Sequence, residues 1–468
     1  LELAASQNVP KAYYFFGLIY LEGKHVPKDI NKSNNYFSKA AEMNVPEAQF
    51  YMSNLYIEGI YVEKDINKGF DYLRKAAEQG MSEAQYNLAF YNQNGIYTIK
   101  DVKKAIYYYS LAAESNNPDA LFQLGMLYYF GKDVPKNVQK GISYLLSAAK
   151  LGDPAALYNL GIFYYKGDFV EQNINKAIKY ITLAANKKQP QSLNFLGIFY
   201  YEGIYTKRNI AKAIDYFNQA STLNNSDSQY NLGCIYLNGK FVNRNMSKAI
   251  VYFELSLKNG NKNAGFYLGS IYQEGTEIKQ DMDKAIYYYK IASCISNNYA
   301  KNNLAIIYKE ININYSIELL QEAISINNDA ASIYNLAKIY FYDDKIQYGK
   351  YKDNWIDLLI LLSSSNFIYA KFLLCLILIK KVPQISLENI EKELQKHKYF
   401  SNDLASELFT LINSHNLEDP FKYNFYYEHF KINDYRYLNE DLVVPSSYIN
   451  KKIDNIKNIP CINEDFYD

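Results

Sequence analysis

Between residues 156 and 187 the apolar positions draw two helices. Leu157, Leu160, Ile162, Phe163 and Tyr164 fall at helical spacing from Ala156 to Lys166, and Gly167 ends the run, as glycine does just past a last turn. A second helix starts near Asn173, a residue type that caps orphan backbone amides, and carries Ala177, Ile178, Ile181, Ala184 and Ala185 on one face. Turns such as "LGDP" at 151–154 lead into the next pair.

The same grammar repeats. One small residue marks each copy at Gly17, Ser53, Ala89, Gly125, Gly161, Gly197, Gly233, Gly269 and Ala305, a step of 36 held over eight intervals. Ala337 follows after 32 and Cys375 after 38, so two looser copies close the series. A glycine column (Gly23, Gly59 and onward to Gly275), an Asp/Asn column (Asp29 to Asp281) and a lysine column (Lys32 to Lys284) keep the same step. A helix pair of this size buries its apolar face only by stacking on identical neighbours. The pattern predicts an all-α chain, a right-handed α-solenoid of about eleven helix-turn-helix repeats with a concave and a convex wall. The small residue lies where two helices cross, and a larger one would push the backbones apart. The lysines are expected to cover the N-terminal turn of each second helix or to pair with the neighbouring repeat.

The order A-x-Y-N-L-G-x-x-Y-x-x-G, a short loop, D/N-x-x-K-A, then A-A resembles the Sel-one-like repeat, a relative of the tetratricopeptide repeat. "AQYNLAFYNQNGIYTIKDVKKAIYYYSLAAESNNPDA" at 84–120 carries that resemblance most fully. It covers residues 1–380, and it departs where the loop after Ala305 shortens and both glycines disappear. Ala4 and Ala5 stand 36 positions before Ala40 and Ala41, so the chain opens mid-repeat, as a fragment or processed product would. Residues 381–415 are expected to form C-terminal capping helices, each opening on a serine cap, and 416–468 an aromatic-rich irregular tail, with packing on its own solenoid the commoner outcome beside lying in the groove as an internal ligand or binding a partner. The hydrophobic window 356–379 reads as helices Trp355 to Ser364 and Ile368 to Ile379 rather than a membrane span, because Asp357, Ser363 to Asn366 and Lys371 interrupt it.

Charge narrows the partners. Lys+Arg 50 against Asp+Glu 49 gives no reason to expect nucleic acid or anionic lipid. His25, His397, His415 and His429 are scattered, and no Cys/His cluster suggests zinc, so neither catalysis, cofactor nor metal is expected. Cys234 and Cys375 sit at helix-packing positions as small hydrophobes.

One column invites a binding role. Two residues before each small residue stand Phe15, Tyr51, Asn87, Gln123, Asn159, Phe195, Asn231, Tyr267, Asn303, Asn335 and Leu373. The resemblance to tetratricopeptide proteins implies that this position faces the inner groove, where asparagine binds the backbone of an extended peptide. The amides could equally bond the backbone of a neighbouring helix. The expected binding residues are Asn87, Gln123, Asn159, Asn231, Asn303 and Asn335, with Tyr51, Phe195 and Tyr267 as aromatic anchors. The reading is a non-enzymatic scaffold or adaptor holding a peptide or helix of a partner protein, within a multiprotein complex. Borrowing from relatives gives two alternatives, a lumenal adaptor of an ER-associated degradation ubiquitin ligase or a regulatory region of a larger kinase-like protein. The compartment stays open between cytoplasm and ER lumen.

Overall fold

The computed structural model describes residues 4 and 7–414, apart from 25, 168–169, 295–296, 328, 343–354, 365–372, 376, 379–385 and 397–400. All regular structure among them is helical. First and second helices alternate: α1 (Pro10–Glu22) and α2 (Ile30–Glu42), α3 (Pro46–Glu58) and α4 (Ile66–Glu78), α5 (Ser82–Asn94) and α6 (Val102–Glu114), α7 (Pro118–Phe130) and α8 (Val138–Lys150), α9 (Pro154–Lys166) and α10 (Ile174–Asn186), α11 (Pro190–Glu202) and α12 (Ile210–Thr222). The series runs on through α13 (Ser226–Asn238) and α14 (Met246–Lys258), α15 (Ala264–Glu274) and α16 (Met282–Ser293), α17 (Asn298–Tyr308) and α18 (Ile313–Asn327), then α19 (Ala330–Tyr342) and α20 (Trp355–Ser364). Two further helices, α21 (Leu387–Leu394) and α22 (Asn402–Ser414), pack on each other. The chain forms two compact units, one built on residues 1–220 and the other on 221–446. Each is a stretch of α-solenoid in which a first helix packs on its own second helix and on the second helix before it.

Local chemistry sets each element. Five first helices open on proline, at Pro10, Pro46, Pro118, Pro154 and Pro190, where the missing N–H is no loss. They end at the glycine column, whose φ lies between +63° and +76°, the left-handed cap that glycine adopts without strain. Every second helix from α2 to α16 opens on the Asp/Asn column, whose side chain accepts the backbone N–H of the lysine three residues on at 2.9–3.0 Å. The cap's own N–H reaches back to the first helix, as from Asp65 to the Tyr56 carbonyl at 2.9 Å, and closes the loop. Ser386 and Ser401 accept the backbone N–H groups of Asn389 and Leu404 at 3.2 Å, as their serine-cap pattern requires. α20 spans the segment expected of it, whereas most of 368–379 and all of 416–468 lie outside the described residues.

The small column has a single packing partner, twenty residues on. A Cβ at Gly161 would come 2.5 Å from Ile181 Cγ1, and one at Gly197 or Gly233 would come 2.6 Å from the ring of Phe217 or Phe253. Those partners are fully buried, so the glycines let two helix backbones close on one large side chain. Cys234 and Cys375 are buried as well.

The lysine column takes the first of its two expected places and adds a neighbour that was not expected. Its backbone covers the N-terminal turn, but its ammonium lies over a tyrosine of the same repeat's first helix, not on the adjacent repeat. Lys32, Lys68, Lys140, Lys176, Lys212, Lys248 and Lys284 sit 4.0–5.4 Å from the ring centroids of Tyr20, Tyr56, Tyr128, Tyr164, Tyr200, Tyr236 and Tyr272. Each ring stacks within 14° of parallel on a second-helix tyrosine, as Tyr164 does on Tyr180 at 5.8 Å. A lysine over two stacked rings therefore clamps the helix pair together.

Candidate functional site

Second helices have one apolar face and one polar face, whereas first helices are covered on two flanks by second helices and keep only a narrow strip uncovered. Beneath it adjacent first helices meet through mostly buried rings: Tyr129 stacks on Phe163 at 4.1 Å, and Tyr165 meets Phe195 edge-on at 5.3 Å. The column of Asn159 runs down this strip, and its members differ in what they do.

In residues 1–220, Asn87 and Gln123 are half-buried, and among the described residues their amides make no hydrogen bond. Tyr51 is half-buried as well, with its ring 4.1 Å from Phe37 and its hydroxyl 3.5 Å from Asn34 Oδ1. Asn159 is 5% exposed; its Nδ2 donates to the Ala155 carbonyl of its own helix at 2.9 Å, while Oδ1 has no donor. Phe195 is buried against Phe199, 4.8 Å between centroids.

In residues 221–446 the column turns inward. Asn231 is buried, and Tyr267 stacks on Phe253 at 5.0 Å, its hydroxyl raised well above the ordinary tyrosine range by burial. Asn303 Nδ2 donates to the Tyr289 hydroxyl at 3.0 Å, and that hydroxyl donates to Gln273 Oε1 at 2.7 Å. Burial pushes the Tyr289 hydroxyl up to about 12. Asn335 Nδ2 donates to Asn302 Oδ1 at 2.8 Å. The amides of Asn303 and Asn335 thus bond side chains of neighbouring helices, where a bond to a neighbouring backbone was the alternative expected. The structure thus brings Tyr51, Asn87 and Gln123 onto one half-buried strip with Asn159 buried at its end, while Phe195 and Tyr267 pack as core side chains.

Among the described residues no group of three or more His, Cys, Asp or Glu side chains is arranged to hold a metal ion, and no helix is long and apolar enough to cross a membrane. Sequence reasoning missed the stacked tyrosines. Their period was visible, but the lysine and its ring are twelve residues apart on different helices.

Stacked helix pairs with an uncovered first-helix strip define a class, the all-α repeat scaffold. The chain belongs to the Sel1 repeat family, whose model matches eight copies at residues 10–45, 46–81, 82–117, 118–153, 154–188, 190–225, 226–261 and 264–296. Among solved structures it is similar to c5321, a protective antigen of uropathogenic Escherichia coli displaying an SLR fold, with 21% identity, 88% of this chain and 89% of that one covered, and a TM-score of 0.67. It is also similar to a Sel1 repeat protein from Oxalobacter formigenes, at 27% identity over 64% of this chain and 86% of that one, with a TM-score of 0.48. The immunity protein Pa5087 of Pseudomonas aeruginosa matches at 24% identity over 47% of this chain and 82% of that one, with a TM-score of 0.34. A search of curated proteins finds no match. The repeat scaffold points to protein–protein interaction, and proteins built this way are generally non-catalytic.

Proposed function

We propose that the chain is a non-enzymatic scaffold whose first-helix strip in residues 1–220 holds an extended segment or helix of a partner protein. One contrast carries the reading: in residues 221–446 Asn231 and Asn303 are buried and the amides of Asn303 and Asn335 are bonded inside the fold, whereas Asn87 and Gln123 are half-buried and unbonded among the described residues. An amide presents a donor and an acceptor together, which matches a peptide backbone whatever its sequence. Each such bond adds about 0.5–1.5 kcal/mol net, so three amides supply a few kcal/mol and leave the rest to side chains such as Tyr51.

A photo-reactive residue at position 87 is expected to cross-link a partner in native cells, and one at Lys103, exposed on a second helix, is not. Substituting Asn87→Ala, Gln123→Ala and Asn159→Ala together should weaken that partner by about tenfold or more while far-UV circular dichroism stays unchanged. Equal cross-linking from both positions would remove the strip from consideration.

A further inference from the structure

The near-zero net charge conceals a division between helix layers. The three consecutive first helices α3, α5 and α7 carry Glu47, Glu58, Glu83 and Asp119 and no lysine or arginine. The second helices beside them, α4, α6 and α8, carry seven lysines and arginines against three carboxylates. Glu47, Glu83 and Asp119 stand four residues before Tyr51, Asn87 and Gln123, and Glu58 stands seven after Tyr51, so all four lie on the same strip. Lys11 on α1 and Lys166 on α9 bracket this acidic stretch.

Among the described residues none of the four forms an ion pair. Glu58, Glu83 and Asp119 are exposed, while Glu47 Oε2 is buried without a hydrogen-bond partner. Like charges on neighbouring helices repel, and nothing on their own layer neutralises them.

A second observation points to a donor from outside. Asn159 Oδ1 on α9, in a residue 5% exposed, accepts nothing, and neither does the buried Gln191 Oε1 on α11, four residues before Phe195. A buried carbonyl oxygen without a donor forfeits its hydration with no return. Orphan acceptors call for N–H donors, and the unpaired carboxylates call for donors that carry positive charge.

We propose that the strip from α3 to α9 binds an extended, lysine- or arginine-bearing segment of a partner protein, an assignment that rests on reading this strip as a docking face. First helices about 10 Å apart and an extended chain rising about 3.3 Å per residue bring about every third residue of such a segment within reach of a first helix. The chain's own residues 416–468 carry ten carboxylates against six lysines and arginines, so charge favours a separate partner over this tail.

The test uses the full chain and a labelled peptide of about twelve residues alternating threonine with lysine, read by fluorescence anisotropy at about 50 mM salt, where screening is weak. The glutamate counterpart serves as control. The lysine probe is expected to bind and the glutamate probe not. E47Q/E58Q/E83Q/D119N should weaken the lysine probe by about tenfold or more, and D71N/E78Q/E114Q, which strips the second helices, should leave it within about twofold. Where the fourfold variant loses helicity, E83Q/D119N, both at exposed positions, should still give a smaller loss in the same direction. Equal binding of the two probes, or equal loss in both sets of variants, overturns the assignment. A partner cross-linked from position 87 through a neutral or acidic segment overturns the charge assignment and leaves the docking face standing. No specific cross-link at position 87 removes the face itself.

Discussion

Asp153 serves two ends that conflict. Its side chain accepts the Ala156 N–H and caps α9, yet burial, with the charge of Asp119 adding to it, pushes its carboxyl up to about 6. The folded state therefore keeps a proton that the unfolded chain releases near pH 4. The consequence is a penalty present in full above pH 6, relieved as pH falls from 6 towards 4, and worth at most about 3 kcal/mol. In other repeats Asn117, Asn225 and Asn297 make the same cap without a charge. Asp153→Asn should raise the urea midpoint at pH 7.5 and leave it nearly unchanged at pH 4. A variant that tracks the parent in parallel across that window would show the carboxyl ionising as it does in the unfolded chain. Single-residue conflicts of this kind are hard to read in a sequence, because asparagine and aspartate look equivalent in a cap column until burial separates them. Gln85 makes the same point. Gln49 and Gln229 accept from Gln79 and Asn259 thirty residues on, but Ser115 is too short to do so and leaves Gln85 Oε1 unbonded.

At the scale of the helix pair, the sequence was legible to the residue where chemistry is local. The left-handed glycines and the Asp/Asn caps answer to their nearest neighbours in the chain, and the small column, whose partner lies twenty residues on, shows through its strict period; each takes its expected role. The tyrosine clamp was not legible, because its parts meet only once the helices have packed. Its one defect gives a direct check. The third repeat has Asn92 where seven others have tyrosine, so Lys104 keeps the contact to its cap, Asp101 at 3.7 Å, that Lys32 and Lys284 also make, but has no such ring beneath it, and Tyr108 lacks its stacking partner. Asn92→Tyr should supply both contacts and stabilise the chain by about 0.5–1 kcal/mol, seen as a higher denaturation midpoint at unchanged slope. An unchanged or lower midpoint would mean that the stacked rings reflect helix spacing without adding to stability.

Across the molecule, the two units differ in how their cores are joined. The core of residues 1–220 breaks into five buried clusters, each bridging neighbouring repeats, with partly buried tyrosines such as Tyr108, Tyr144 and Tyr180 between them. The described core of residues 221–446 is one cluster from Cys234 to Ile412. A stack whose contacts stop at nearest neighbours loses structure locally, and a continuous core spreads the loss. Leu73 and Leu320 are both fully buried or nearly so, and truncating either to alanine costs about 2–5 kcal/mol. Hydrogen exchange should then separate the two cases. Leu73→Ala is expected to speed exchange in α3 to α6 while α9 to α11 keep their protection; Leu320→Ala should speed it from α13 to α22 together. If Leu73→Ala loosens α9 to α11 as much as α3 to α6, residues 1–220 melt as one body, and the docking strip could not keep α9 ordered while its first repeats open.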